Sequence, residues 1–425
     1  MENKITTANG VDIYHYQQPN THSVCISLYI KTGTLYEYEK VGISHFLEHI
    51  HFRKLGGRTQ KQLYYELESI GADFGGVTYR EFMRLYLSST PRYFGKLAAV
   101  AADLLGEIEA DVKDFTAEKR IVLSEIREEN QKNDVDYFSN PFIWGETPLA
   151  NSVLGSIASI KPLTLDMLRA EKERSFTRKN LFYYVTGCFD EADLAILKDA
   201  VERYDLSGRP DTNNDNNAPV PAGFRARQAF VKLSHRSFMM HDVKIAFDVD
   251  FQSMRRSDLI FLDSILTRGL CSLLRAELVE KKGLIYEISS AIEQYNNIGV
   301  YYFKFTIYKS LIEDALKSFI SVIRDVKKGI SELDMQATRV FWTDNQMKLL
   351  DDPDDLNWEF AYENHILPNH FQDITDLSKV YAEVTSERLV KIAEEIFQPT
   401  HAMLFSLGNK KGLSEQKLHR MLMEL

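Results

Sequence analysis

Apolar positions in the first half of the chain alternate between strand-like and helix-like patterns. The run VCISLYI from Val24 predicts a strand, and VGISHFLEHIHF from Val41 predicts a helix. The alternating segment GGVTYREFMRLYLSS from Gly75 predicts a further strand, and the residues from Pro91 to Glu107 predict a second helix. The first half therefore predicts a mixture of strands and helices.

The second half repeats this order. VKIAFDV from Val243 predicts a strand, DLIFLDSIL from Asp258 a helix and GVYYFKFTIY from Gly299 a long strand, and a helix follows from Ser310. A repeat of about 220 residues is too long for a solenoid, so it indicates a duplicated domain. We expect an α+β protein of two similar domains, each with a mixed, largely antiparallel sheet and helices packed on one face.

A polar segment separates the two halves. Residues 207–223, with the sequence SGRPDTNNDNNAPVPAG, contain three Pro, two Gly and no apolar periodicity. This composition is typical of an interdomain linker. The predicted domains are therefore residues 1–206 and 224–425.

Composition and charge narrow the possible functions. The 425 residues are 44% hydrophobic and 26% charged, and the net charge of −10 argues against nucleic acid or anionic lipid as a general partner. The three cysteines are far apart and predict neither a disulfide framework nor a cysteine zinc site. The N-terminus shows no export signal, and the most apolar helical stretch, LAAVAADLLG from Leu97, falls short of the ~20 residues of a membrane span. We expect a cytoplasmic protein without a membrane span.

The predicted helix from Val41 carries a possible metal site. His45 and His49 are four residues apart and project from one face, so two imidazoles can share one ion, and zinc suits such ligands. Glu48 points to the same side and could accept a proton from water. The alternative is two half-buried histidines satisfied by neighbouring groups. His51 lies on another face of the helix, and we expect it at the surface or supporting a ligand.

A second helix, predicted from Asp114, carries two carboxylates that share a face. Glu118 and Glu125 are two helical turns apart. By themselves, both are more typical of solvated carboxylates on a helix surface than of metal ligands. A third metal ligand would decide between a catalytic centre and a chance arrangement of histidines.

These residues resemble the signature of the pitrilysin/insulinase family of zinc metallopeptidases. The family has the same His-x-x-Glu-His motif followed by a glutamate ligand about 76 residues later, and His49 and Glu125 are 76 residues apart. The resemblance implies one zinc ion per chain held by His45, His49 and Glu125, with Glu48 and Glu118 as catalytic residues, the latter orienting a ligand. It extends to GADFGGVTYRE and to LLRAELVEKKGLIYEIS, and it makes the first domain catalytic and the second a degenerate copy without the metal motif.

The segments that resemble substrate-binding regions depart from the family pattern. Gly75 and Gly76 stand where the family often has Asn-Ala, and Tyr286 matches a substrate-binding tyrosine. Seven residues before Tyr286 the family has an arginine, but this chain has Val279, with Lys281 and Lys282 close by. The alternative for Tyr286 is an aromatic residue packed in a core.

The resemblance implies a zinc endopeptidase that binds peptides extended in a clamshell cleft. The length matches the branch of the family with subunits of ~50 kDa, in which two chains pair. Within that branch the chain is most similar to peptidases of subtilosin-type bacteriocin clusters, which implies a peptide precursor, such as a bacteriocin leader, as substrate. The missing arginine favours a heterodimer with a non-catalytic homologue, and a homodimer using Lys281 or Lys282 is the alternative. A non-catalytic subunit and a hydrolase of non-peptide substrates are the competing functions.

Overall fold

The computed structural model describes residues 1–37, 39–129, 133–210, 228–367, 371 and 373–425. The predicted linker lies outside the described residues from residue 211 onward. None of the helices in these ranges is long and apolar enough to cross a bilayer.

The first half contains strands β1 to β8 and helices α1 to α8. In chain order these are β1 (Glu2–Thr6), β2 (Asp12–Gln17), β3 (Val24–Ile30), α1 (Ile43–His51), β4 (Lys54–Leu55), β5 (Arg58–Thr59), α2 (Gln60–Glu68), β6 (Asp73–Thr78), β7 (Met83–Ser89), α3 (Phe94–Asp103), α4 (Val112–Glu128), α5 (Val135–Trp144), α6 (Ile157–Ile160), α7 (Leu165–Ser175), β8 (Leu181–Gly187) and α8 (Glu191–Val201).

The second half contains strands β9 to β13 and helices α9 to α16. They are β9 (Phe230–His235), β10 (Met240–Asp250), α9 (Arg256–Thr267), α10 (Leu273–Arg275), a π-helical turn (Ala276–Lys281), β11 (Ser289–Tyr295), β12 (Ile298–Tyr308), α11 (Ile312–Lys328), α12 (Glu332–Asn345), α13 (Pro353–Ala361), a second π-helical turn (Tyr362–Ile366), α14 (Ile374–Ala382), α15 (Ser386–Ile396), β13 (Ala402–Gly408) and α16 (Glu415–Leu422).

The alternating segment from Gly75 forms a hairpin and not one strand. Strands β6 and β7 pair in antiparallel register, and the backbone N–H of Tyr79 donates to the carbonyl of Phe82 at 2.8 Å to close the turn. The turn has no Gly or Pro to mark it, so the alternation of apolar and polar residues continues through it. The predicted strand at Val24 and the predicted helix from Val41 are present as β3 and α1.

The described residues form two compact units, each with its own sheet. Unit 1 is made of described residues within 1–129, 144–220 and 346–376, and unit 2 of those within 130–143, 221–345 and 377–425. The sheet of unit 1 has the order β1-β2-β8-β3-β7-β6, and that of unit 2 the order β11-β12-β10-β13-β9. Among the strands that the structure describes in these two sheets, the pairs β2–β8 and β13–β9 are parallel and the other neighbouring pairs are antiparallel. The prediction of an α+β fold with two mixed, largely antiparallel sheets is confirmed.

Each unit buries one face of its sheet against its own helices. In unit 1 the core combines alternate residues of β3, such as Ile26 and Leu28, with Phe46 and Leu47 of α1. In unit 2 it combines Ile245 and Phe247 of β10 with helices that include α9 and α11. Because β3 and β8 are buried along their whole length, their other face must also be covered.

Helix α13 covers that other face in unit 1. Its Asn357 is fully buried, accepts a hydrogen bond from the Tyr29 hydroxyl at 3.0 Å and donates to the carbonyl of Tyr184 at 2.9 Å. Asp354 accepts a hydrogen bond from the buried guanidinium of Arg84 on β7. The sequence pattern predicted helices on one face, and it did not predict this helix from the second half.

Helix α5 covers the outer face of the sheet in unit 2, as α13 does in unit 1. Its Asp136 accepts hydrogen bonds from Lys244 at 2.8 Å and from Lys304 at 2.7 Å. Phe138 packs edge-on against Phe405 of β13. Lys244 and Phe405 alternate along their strands with core residues, so α5 covers the face of the sheet opposite the core.

We predict that Asp354→Asn destabilises the protein by about 2 kcal/mol, because it leaves the Arg84 guanidinium buried without an anionic partner. The Arg84 side chain is 6% exposed and that of Asp354 44%, so solvent screening reduces the usual cost of breaking a buried pair. Urea unfolding should show the lower midpoint.

The matched control is Asp355→Asn on the same turn of α13. It should change the free energy of unfolding by less than about 0.5 kcal/mol. Equal effects of the two substitutions would show that the ion pair with Arg84 does not fasten α13 to the sheet.

Candidate metal centre

The residue before helix α1 has a left-handed backbone conformation that favours glycine. Gly42 precedes the helix with φ of 88°, and a Cβ at this position would lie 2.8 Å from the carbonyl oxygen of Leu154. The buried carboxylate of Glu37 accepts hydrogen bonds from the backbone N–H groups of Gly42 at 2.7 Å and Ser44 at 2.9 Å. Burial raises the pKa of Glu37 to about 7, and these hydrogen bonds oppose the shift. The start of α1 is thereby fixed.

Three possible metal ligands meet between α1 and α4. The Nε2 atoms of His45 and His49 are 3.2 Å apart, and the Oε2 atom of Glu125 lies 3.6 Å from the first and 3.4 Å from the second. Zinc–ligand distances of about 2.0–2.2 Å place tetrahedral ligands about 3.3–3.6 Å apart. The three atoms therefore have the spacing of three corners around one zinc ion.

The hydrogen bonding of these atoms also fits a cation. Oε2 of Glu125 is buried and accepts no hydrogen bond. Burial raises the pKa of this carboxyl, and the nearby carboxylates of Glu128 and Glu129 add to the shift. Burial lowers the pKa of His45 to about 3, and the neighbouring His49 contributes, so its imidazole is neutral and can offer a lone pair. A buried acceptor facing two imidazoles is the chemistry that a divalent ion would satisfy.

Glu118 holds His49 in one orientation. Its Oε1 lies 2.8 Å from Nδ1 of His49, which places the imidazole proton on Nδ1 and leaves Nε2 free for a metal. The guanidinium of Arg53 donates to the other oxygen of Glu118, and also to Gln60 at 3.1 Å. Burial opposes ionisation of Glu118, but the hydrogen bonds from His49 and Arg53 outweigh it and lower the pKa.

Glu48 lies on the same turn as His49 without joining the three ligand atoms. Burial raises its pKa, and a hydrogen bond from the hydroxyl of Thr78 at 2.6 Å opposes the shift. Strand β6 packs closely against Glu48, so a Cβ at Gly76 would lie 2.5 Å from its Cγ. A carboxylate with a raised pKa next to three metal-binding atoms can accept and return a proton.

Helix α4 presents its two carboxylates on one side because its other side is packed in the core. Asp111 caps the helix by accepting from the N–H groups of Lys113 at 2.7 Å and Asp114 at 2.9 Å. Val122 is fully buried in the core of unit 1. Glu118 and Glu125 therefore both face α1, as their spacing predicted.

The structure separates the predicted substrate residues into the two units. Gly75 and Gly76 lie on β6, the edge strand of the sheet in unit 1. Tyr286 belongs to unit 2 and is 89% exposed, so the alternative of a tyrosine packed in a core is wrong. Its possible role in substrate binding stays a prediction.

The position of the missing arginine is apolar and packed. Val279 lies in the π-helical turn and contacts the core of unit 2. The Nζ atoms of Lys281 and Lys282 each lie 2.9 Å from an oxygen of Glu277. Both ammonium groups that could replace the arginine are therefore already paired within unit 2.

The expectation of an exposed or ligand-supporting His51 is wrong. His51 is 3% exposed, its Nδ1 lies 2.5 Å from the carbonyl oxygen of Leu47, and its ring stacks on Phe176. Helix α7 packs against α1 and closes this side, so a histidine on another face of α1 points into the protein. Burial and the nearby Lys172 lower the pKa of His51.

Sequence reasoning did not identify Glu37, Arg53 and Thr78. Arg53 is four residues after His49, which is a helical spacing that a closer reading of the motif could use. Glu37 is an acidic residue shortly before a helix, which is a weak capping signal. Thr78 carries no local signal, because only the packing of β6 beside α1 brings it to Glu48.

Comparison with known proteins places this arrangement in a family. The model "Insulinase (Peptidase family M16)" matches residues 13–156, and "Peptidase M16 inactive domain" matches residues 162–339. An "Uncharacterized zinc protease" of Rickettsia felis is 24% identical over 405 residues, covering 92% of this chain and 93% of the relative.

Solved structures share the fold. A protease from Helicobacter pylori has a TM-score of 0.85 at 18% identity, over 96% of this chain and 99% of that one. The periplasmic protease PqqL from Escherichia coli has a TM-score of 0.79 at 16% identity, over 99% of this chain but 50% of PqqL. This chain therefore has the length of one half of PqqL.

We predict that Glu125→Gln and His49→Ala each lose bound zinc, because a site of two ligands is too weak to retain the ion. Metal content after dialysis, measured by atomic emission, should fall from about one ion per chain to near zero.

Glu128→Gln is the matched control on the same helix, and it should retain the metal, because Glu128 is not among the three clustered ligand residues. Full zinc occupancy in Glu125→Gln would show that another carboxylate on α4 is the ligand.

Proposed function

Because the chain belongs to the insulinase family of peptidases, family M16, we propose that it is a zinc-dependent endopeptidase with one zinc ion per chain. One observation carries this proposal. The ligand atoms of His45, His49 and Glu125 all lie within 4.8 Å of one another, with the carboxylate of Glu48 beside them. The groups that could bind the ion and the group that could accept a proton from water are thus all present at one place.

The proposed reaction is hydrolysis of a peptide bond. Zinc bound by the three residues would polarise the scissile carbonyl and make a water molecule more acidic. Glu48 takes the proton from the attacking water and later gives it to the leaving amine nitrogen. Glu118 keeps the His49 imidazole oriented, and Arg53 keeps Glu118 ionised.

The proposed substrate is a peptide that binds extended along β6. This strand ends the sheet of unit 1, so its outer backbone groups are available to pair with another strand. Gly75 and Gly76 offer no side chains there, which favours recognition of the substrate backbone over its sequence. A peptide precursor, such as a bacteriocin leader, processed in the cytoplasm is the substrate class we propose.

A heterodimer is the proposed working form. Val279 replaces the arginine with which relatives of this family bind substrate, and Lys281 and Lys282 are paired with Glu277. The exposed Tyr286 is then half of a substrate-binding pair. A non-catalytic homologue would supply the missing cation. In the homodimer alternative, Lys281 or Lys282 would leave Glu277 to contact the substrate.

A non-catalytic subunit is the second candidate function. The match of residues 162–339 to a domain called inactive, together with the incomplete substrate-binding pair, favours it. The zinc-binding domain lies outside that match, so an inactive second half is compatible with an active first half. The effect of substitutions at Glu48 separates the two candidates.

We predict that Glu48→Gln reduces peptide cleavage by about 10²- to 10⁴-fold, because an amide cannot accept the proton from water. Cleavage of a mixture of quenched fluorescent peptides measures this rate. Zinc content should stay near one ion per chain, since Glu48 is not among the three clustered ligand residues.

Glu68→Gln at an exposed position of α2 is the control and should behave as the unsubstituted protein. Loss of zinc from Glu48→Gln would identify Glu48 as a ligand. Absence of any cleavage by the zinc-loaded protein, with and without homologues, would favour the non-catalytic subunit.

We also predict that the chain alone cleaves peptides weakly and that a homologue lacking the histidine motif raises the rate several-fold. The substitutions Lys281→Ala and Lys282→Ala should change KM by less than about twofold, because in the proposed heterodimer the partner chain supplies the cation that contacts the substrate. Full activity of the chain alone, together with a large rise in KM in either variant, would support the homodimer.

A further inference from the structure

The carboxylate of Glu48 is held by a residue of the neighbouring strand. The hydroxyl of Thr78, the last residue of β6, donates to Oε2 of Glu48 at 2.6 Å. This is a short hydrogen bond to a group that is ionised in its proton-accepting form, and such bonds are stronger than those between neutral groups. The backbone of Thr78 adds a second interaction with the same carboxylate.

Strand β6 also leaves room for the Glu48 side chain. Gly76 is two residues before Thr78 and therefore lies on the same face of the strand. A Cβ at Gly76 would approach Cγ of Glu48 to 2.5 Å and its carboxyl carbon to 2.9 Å. One face of β6 thus combines an open position beside the carboxylate stem with a donor at the carboxylate oxygen. Val77, between them, points to the other face and is partly exposed.

We propose that Thr78 is a positioning residue that holds the Glu48 carboxylate in the orientation for proton transfer. The inference rests on the proposed function, in which Glu48 accepts a proton from water. A proton acceptor must lie within hydrogen-bond reach of its donor, and a glutamate side chain has three rotatable bonds. The Thr78 hydroxyl binds Oε2 and so restricts these rotations, which keeps the carboxylate beside the clustered ligand atoms for proton transfer.

The test compares Thr78→Val, which removes the hydroxyl at nearly constant shape, with Thr78→Ser, which keeps it. Valine suits a strand at least as well as threonine, so β6 should fold in both variants. We expect kcat to fall about 10- to 100-fold in Thr78→Val, with KM and zinc content unchanged. Thr78→Ser should stay within about threefold of the unsubstituted protein.

The matched control is Thr34→Val. Thr34 is buried, and its hydroxyl has no hydrogen-bond partner, so the same substitution there removes a threonine hydroxyl that no hydrogen bond joins to Glu48. It should leave kcat unchanged. If Thr78→Val does not fold, Thr78→Ala serves as the second variant without the hydroxyl.

Three outcomes would overturn the proposal. The first is an unchanged kcat in Thr78→Val, and the second is an equal loss in Thr78→Ser, which would point to a structural role of the residue. The third is a rise in KM at constant kcat, which would make Thr78 a substrate contact.

A readout without activity separates this proposal from the proposed function. Crystal structures of the metal-free protein and of Thr78→Val show where the Glu48 carboxylate lies. We expect it on Thr78 in the first and rotated away in the second, whether or not the protein cleaves peptides. The same Glu48 rotamer in both structures would overturn the positioning role, whereas a missing activity alone would count against the proposed function.

Discussion

Two buried carboxylates fix helix α1, and the candidate metal centre depends on both. Glu37 binds the backbone N–H groups at the start of the helix, and Glu118 binds His49 and Arg53 near its end. Each is costly to bury without partners and is satisfied only when α1 has one position relative to its neighbours. Once α1 is fixed, the His45 and His49 imidazoles can converge on Glu125 from α4, which is itself fixed by its packed apolar side.

The second unit shows what happens to an equivalent position without this arrangement. Helix α9 follows the first long strand of its sheet, as α1 does in unit 1, and it carries Asp263. That carboxylate accepts hydrogen bonds from Ser290 at 2.5 Å, Tyr301 at 2.8 Å and Thr267 at 3.2 Å. The neighbours of this carboxylate oxygen are therefore three hydroxyls, whereas Glu125 in unit 1 faces two imidazoles. Among the residues that the structure describes, the cluster of possible metal ligands is the one formed by His45, His49 and Glu125 in unit 1.

Much of the candidate site could be predicted because its residues are spaced along two helices. The spacing of four residues between His45 and His49, and of seven between Glu118 and Glu125, indicates that each pair shares one face of its helix. This can be read from a short stretch of sequence. The resemblance to a family supplied the connection between His49 and Glu125, which no local pattern contains. By contrast, the contact of Thr78 with Glu48 could not be predicted, because it requires β6 to lie beside α1. Likewise, no local pattern links Arg84 to Asp354, which is 270 residues away in the sequence.

The fold was predictable to the same extent and for the same reason. Apolar periodicity identified β3, α1 and their counterparts β10 and α9, because each buries one face against its own unit. The same periodicity predicted β6 and β7 as one strand, because the turn between them contains neither Gly nor Pro. It also could not show that α5 and α13 cover sheets formed by the other half, since their amphipathic patterns specify a buried face but not what buries it.

The position of α13 has a consequence for how the chain is made. A ribosome releases residues in order, so the sheet of unit 1 is complete at Gly187, but the helix that covers its outer face emerges more than 160 residues later. In the interval, Tyr29 and Tyr184 are without Asn357, and Arg84 is without Asp354. The nascent first half therefore has a partly apolar sheet face that is not yet covered, and a chaperone that binds extended aromatic surfaces would have its longest access to the protein at this stage of translation.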